Sequence, residues 1–257
     1  MKTKHLLYGS FLFVLSAVAL PGILHADMHL KYKHHMDAFE IMGQTQPATD
    51  TVRETWIAKD MIRNDEGNQT IILRLDKKQL YFIDHANKTY SQGPMELDKM
   101  ATQAIDEDED MDAEEKEQAK QFMQGMMGAM KMSISVKETG EKKKIGSWKC
   151  TKYLQTTEVF GTTSTADVWA TNDIQTDYEL LNRMNASSMM MISGMRESMD
   201  EFIREMNKIK GVIVYTVSTS SAMNTQMKST QELVEYSDKK APAGFFDPPK
   251  GYKKQAM

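Results

Sequence analysis

The chain has 257 residues, with 32 Lys and Arg against 36 Asp and Glu and a formal net charge of −4. Its basic residues are spread among acids, which excludes the cationic footprint of a nucleic-acid binder. It has one cysteine, Cys150, which excludes an internal disulfide, so stability must come from a packed core.

The first 26 residues read as a unit of their own. Lys2 and Lys4 precede an apolar run from Leu6 to Leu20, Pro21-Gly22 breaks it, and Leu24-His25-Ala26 ends on a small residue. That is the pattern of a cleaved secretory signal, and the run is shorter than the ~20 residues of a membrane span. The expected mature start is Asp27. With Cys150 the only cysteine, no lipid-anchoring thiol follows the signal. The expectation is a periplasmic or extracellular protein, not membrane-spanning after cleavage, with residues 27–257 forming one domain. Without Lys2 and Lys4 the balance is 30 basic to 36 acidic residues.

From His29 to Tyr90 the pattern predicts a meander of short strands. These are His29–Met36, Ala38–Met42, Thr51–Ala58, Thr70–Leu75, Leu80–Asp84 and Thr89-Tyr90. Polar turns separate them at Asn64–Asn68, Asp76–Lys78 and His85–Lys88. After Gly93-Pro94, Leu97, Met100, Ala101, Ala104 and Ile105 recur at helical spacing. An acidic run, Asp106–Asp110, leads to Asp112 and Glu115, which are spaced as a capping box for a second helix. That helix carries Ala119, Phe122, Met123, Met126, Met127 and Met130 on its apolar positions. Gly125 and Gly128 lie inside it, each costing about 1 kcal/mol relative to Ala.

Met132–Thr139 alternates as a strand, with Gly140–Lys144 as a charged turn. A hairpin follows, carrying Trp148, Cys150, Tyr153 and Leu154 on its first arm and Val168 and Trp169 on its second. Its turn falls at Phe160-Gly161-Thr162. A long helix over about 178–208 bears an apolar stripe that includes Leu181, Met184, Met191, Met195, Met199, Phe202 and Met206. Val212–Thr219 and Met223–Tyr236 are paired strands. The Pro- and Gly-rich tail from Pro242 to Tyr252 is expected to lay its aromatics along a sheet edge. The fold class expected is α+β: a curved antiparallel sheet, a half-barrel, with Met-rich helices packed on its concave face.

The mature chain resembles an uncharacterised family of secreted bacterial domains with a fold like that of the periplasmic lipoprotein carriers. The likeness rests on three places: Leu80–Asp84 with Lys88–Tyr90; Gly146-x-Trp148–Tyr153 with Asp167–Thr171; and Pro242–Phe245 with Gly251–Lys254. The resemblance implies a curved antiparallel sheet whose helices plug its concave side, a shape that holds acyl chains in those carriers. It brings no established activity.

The residue that sets this chain apart is methionine, present 23 times. Met is flexible and polarisable and suits surfaces that re-pack around varied apolar partners, although a Met stripe also serves as the plain buried face of a helix. The leading expectation is a carrier for an apolar small molecule, an acyl chain or a lipidated partner. Its groove would be lined by Met123, Met126, Met127, Met130, Met184, Met191, Met195, Met199 and Phe202. A second reading is copper handling or a structural envelope role. An amino terminus of Asp27, Met28 and His29 could wrap Cu(II) in a square plane, and Met thioethers suit Cu(I). Met oxidation as an oxidant sink is a third. The run Asp106-x-Asp108-x-Asp110 has Met111 where a calcium loop needs Gly, so it reads as a solvated approach to a helix. No nucleophile elbow, P-loop, dinucleotide fingerprint or zinc-protease motif is present. Binding is therefore expected rather than catalysis, with no cofactor.

Overall fold

In the computed structural model the described residues are 27–257 except 42, 96, 109, 129–131, 160–161, 177, 179–180, 183–195, 223–224 and 256–257. The leader-like residues 1–26 therefore lie outside the described residues. The first strands are β1 (Met28–Met36), β2 (Phe39–Ile41), β3 (Gln44–Gln46), β4 (Thr49–Ala58), β5 (Met61–Glu66), β6 (Gln69–Arg74), β7 (Gln79–Asp84) and β8 (Thr89–Pro94). Helices α1 (Leu97–Glu107) and α2 (Ala113–Gly128) follow. Then come β9 (Met132–Ile145), β10 (Trp148–Val159) and β11 (Thr162–Thr171). Helix α3 (Arg196–Met206), β12 (Val212–Ala222), β13 (Thr225–Ser237) and β14 (Lys253–Lys254) complete the order.

Twelve strands form one curved, unclosed sheet in the order β14-β8-β7-β6-β5-β4-β1-β13-β12-β11-β10-β9. Every neighbouring pair is antiparallel except β14, which lies parallel to β8. β1 is the hinge of this topology: it pairs with β4 on one side and with β13, about two hundred residues away in sequence, on the other. β2 and β3 form a separate hairpin, and the Thr225 hydroxyl donates to the Glu40 carbonyl at 2.6 Å to hold it against β13.

Three expectations are corrected. Asn64, Asp65 and Glu66 are strand residues of β5 and not a turn, because each polar side chain finds a partner in the sheet. The Thr55 hydroxyl donates to Asn64 at 2.8 Å, Arg63 binds Asp65, and Arg53 binds Glu66. The reversal is made instead at Gly67, whose φ of +56° suits glycine. Likewise Gly140–Lys144 continue β9. Gly140, at φ +80°, sits where the β9–β10 register slips, so the glycine marks a bulge rather than the end of a strand. Lastly, the aromatic tail crosses a face of the sheet: Phe246 is buried among Ala58, Ile72, Tyr81 and Ile83 of β4, β6 and β7. Only Lys253 and Lys254 add to the edge.

The capping box forms as read. The Glu115 amide donates to Asp112 Oδ1 at 2.9 Å, and the Asp112 amide donates back to Glu115 Oε2 at 3.0 Å. α1 and α2 pack on one another, and α3 packs on β9. Phe202, Met206 and the following Ile209 meet Ile134, Val136, Tyr153, Ala166 and Val168. Gly211 follows α3's last turn at φ +101°. A side chain there would run into the Thr171 carbonyl, so only glycine lets the chain enter β12 this close to β11.

Candidate ligand site

Cross-strand pairing defines the two faces. Leu30 stands opposite Thr55, Thr55 opposite Asn64, Ile62 opposite Leu73, and Leu73 opposite Leu80, so these share one face. Thr216 stands opposite Gln231 and Val168, which places the α3-covered patch on the same face. A cavity of about 290 Å³ opens there. Its lining includes Leu73 on β6 and Ile213 on β12, which are five strands apart. Neighbouring strands are about 4.8 Å apart, so a flat sheet would hold these residues more than 20 Å from each other. Their meeting at one cavity identifies this face as the hollow of the curve.

The lining divides by chemistry. Leu30, Ile62, Leu73 and Leu181 are buried apolar walls. Tyr32, Thr55, Asn64, Thr216 and Gln231 are half-buried and polar, and Arg53 is exposed. Burial pushes the Tyr32 phenol well above its ordinary range, so the ring stays neutral. Arg53 donates to Glu66 Oε2 through Nε at 2.9 Å and Nη2 at 2.7 Å, which holds the carboxyl below its usual value against burial's opposing push. The Asn182 amide donates to the Met206 carbonyl at 3.3 Å and to Asn207 at 3.1 Å, tying the cavity wall to the end of α3. Such an arrangement can hold an apolar body and present several neutral hydrogen-bonding groups to one polar end.

The predicted groove residues are placed as follows. Met123 is buried, Met126 is 46 % exposed, and Met199 and Phe202 are half-buried on α3. The side chain of Met127, and Met130, Met184, Met191 and Met195, lie outside the described residues. Among the described lining residues of the cavity there is no methionine. Leu181 comes from the apolar stripe read in the sequence, and the other walls come from strand residues that the sequence reading did not single out. Their signal was the alternation of Leu30 and Tyr32 in β1 and the apolar run Ile71–Leu73 in β6. Register across non-neighbouring strands is what brings them together, and no local pattern carries it.

The proposed copper residues sit in a different environment. Met28 and His29 are buried in the central strand, Met28 paired with β4 and His29 with both β4 and β13. His29 Nε2 lies 3.2 Å from Glu54 Oε2, and its ring stacks on Trp56 at 4.3 Å. Square-planar wrapping would need the Met28 and His29 amides to leave the sheet. Asp27 accepts a bond from the Ala241 amide at 2.7 Å. Among the described residues no three His, Cys, Asp or Glu side chains are placed to hold a metal ion. Cys150 is 2 % exposed, and burial raises its thiol pKa. In the acidic run, Asp108 accepts from the Asp110 amide at 2.9 Å, and the Lys116 ammonium donates to the Asp106 carbonyl at 2.9 Å.

The outer face carries a second network. Thr70 lies 2.8 Å from His85 Nε2, and His85 Nδ1 lies 2.8 Å from the Tyr252 hydroxyl, while Thr70 also donates to Asp65. Thr70 is 1 % exposed under the tail, so these bonds hold the tail and offer no reachable nucleophile.

Fold and cavity together define a class: a large antiparallel-sheet protein with a hollow face that carries an apolar-walled, polar-edged pocket. Residues 42–252 match the family model described as Domain of unknown function (DUF4412), and the chain belongs to that family. No curated protein matches the chain. No helix among the described residues is long and apolar enough to cross a membrane.

Proposed function

We propose that the protein binds an apolar, acyl-like ligand in the hollow of its sheet, in the manner of a lipoprotein-carrier fold, as a binding or carrier protein outside the cytoplasm. The observation that carries this reading is the cavity of about 290 Å³ walled by Leu30, Ile62, Leu73 and Leu181. Its volume is at the lower end of the roughly 300–1,000 Å³ of small-molecule sites, which fits one acyl chain better than a bulky ligand. The leader-like residues 1–26 support export.

Titration with a fluorescent fatty-acid analogue, alongside native mass spectrometry of gently extracted protein, tests the reading. Wild-type protein should bind at one equivalent. Leu73→Trp should fill the pocket and abolish binding, at an overpacking cost of about 1–3 kcal/mol that a denaturation curve would register. A protein that emerges bare and binds no analogue overturns it.

A further inference from the structure

We propose that the turn end of the β9–β10 hairpin docks on an anionic phospholipid surface. Residues 142–149 hold four lysines and no acid, on a chain whose net charge is −4. Lys144 and Lys149 stand directly opposite one another in the ladder. Like charges in that position destabilise a sheet, so the pair is a cost the hairpin carries without return in the fold. Lys142 stands opposite Thr151, two residues along, which places three ammonium groups on one face.

The neighbouring lysines are engaged. Lys152 bridges Asp167 at 2.8 Å and Glu141 at 3.4 Å, and Lys143 lies 4.0 Å over the Trp169 ring. Lys142, Lys144 and Lys149 have no carboxylate partner among the described residues. Lys142 and Lys149 line a pocket of about 440 Å³ together with Thr151, Asn172 and Asp173. One oxygen of Asp173 accepts from the Lys149 amide at 2.7 Å. The pocket offers the ammonium groups of Lys142, Lys143 and Lys149, a hydroxyl and an amide, donors suited to a headgroup phosphate, beside that one carboxylate.

One feature favours a bilayer over a soluble anion. The hairpin forms the outermost edge of the sheet, and among the described residues α3 covers its other end, where Glu205 accepts the Val136 amide at 2.9 Å. The lysine-bearing end, with Lys142, Lys144 and Lys149 on one face and Ile145 and Trp148 packed against the core on the other, lies outside that cover.

The experiment is flotation of the full chain with phosphatidylcholine vesicles, with and without phosphatidylglycerol. The readout is the gain in binding that phosphatidylglycerol produces. The K142Q/K144Q/K149Q variant should lose about a hundred-fold of that gain, at roughly five-fold per lysine. Its thermal stability should hold or rise, because the Lys144–Lys149 repulsion is gone. K239Q/K240Q/K250Q, with the same charge change at exposed sites, should keep the gain. The proposal falls if wild-type shows no gain, or if the two triple variants lose equally. It also falls if the first variant keeps the gain and merely self-associates, since the lysines then only guard the strand edge. Displacement by soluble glycerol phosphate at matched ionic strength would mark a free-anion site and overturn the bilayer. Fatty-acid binding in the hollow is independent of this hairpin and should be unchanged in the variant.

Discussion

The two halves of the sheet are sealed on opposite faces by different kinds of element. In the β4–β8 half the outer face is dry. Phe246 is buried there against Ala58, Ile72, Tyr81 and Ile83, and the tail is laced down through its backbone: Arg63 donates to the Phe245 carbonyl at 2.8 Å and Arg74 to the Phe246 carbonyl at 3.3 Å. Arg74 also meets Asp247 at 2.6 Å and Asp76 at 2.7 Å. In the β9–β11 half the inner face is dry instead, under Phe202, Met206 and Ile209, while the outer face carries ion pairs such as Lys152–Asp167. Among the described residues, a sheet covered on alternate sides by a tail and a helix leaves its hollow covered only in part, and the cavity lies beside the end of α3, to which Asn182 ties its wall. The lesson is that the cover, more than the strand composition, determines which stretch of a long sheet stays available to a ligand.

The strongest way to break this division is Phe246→Ala. Truncating a buried Phe costs about 3–5 kcal/mol. The loss should appear first as faster amide hydrogen exchange in β5–β7, with β9–β11 protected as before. Uniform loss across both halves would show that they unfold as one unit. Met206→Ala is the mirror experiment, with an expected cost of about 2–5 kcal/mol and exchange rising in β9 and β11 instead.

A smaller effect concerns Glu205, which ties α3 to the sheet edge. The Lys208 ammonium, first, and the Val136 amide hold its carboxyl below the ordinary value of 4.5. A depressed carboxyl contributes stability that is present above the unfolded value and is lost as pH falls through the folded one. Acid titration should therefore loosen α3 from β9 below pH 4.5 in wild type. Glu205→Gln should remove that step from the acid limb while leaving the tail-covered half unchanged. The smallest effect is Asp112→Ala, which removes the cap of α2 at a cost of about 1 kcal/mol. Exchange should rise in the first turn of α2 alone, since that helix packs on α1 and contributes no described residue to either sealing patch.

Much of the architecture was legible in the chain. Alternation in Thr70–Leu75 and Leu80–Asp84, the β-branched run at Val212–Thr219, and the Asp112/Glu115 spacing each encode a local preference that the fold keeps. Glycine and charge misled where a bulge and a partner reversed their ordinary meaning. Gly140 marks a slip in register, and Asn64–Glu66 look like a turn until Thr55, Arg63 and Arg53 satisfy them across or along the ladder. The candidate site was least legible. Attention went to methionine, whereas the described walls of the hollow are Leu30, Ile62, Leu73 and Leu181.

By itself, then, the sequence determined the antiparallel character of the protein, its freedom from disulfides and its helix cap, because propensity, cysteine count and capping act within a few residues. The tertiary structure alone decided that β1 joins the two meanders, that the tail crosses the outer face, and that distant apolar residues wall one cavity. Those outcomes depend on strand order and curvature, which are set by pairings hundreds of residues apart and leave no periodic mark on the chain.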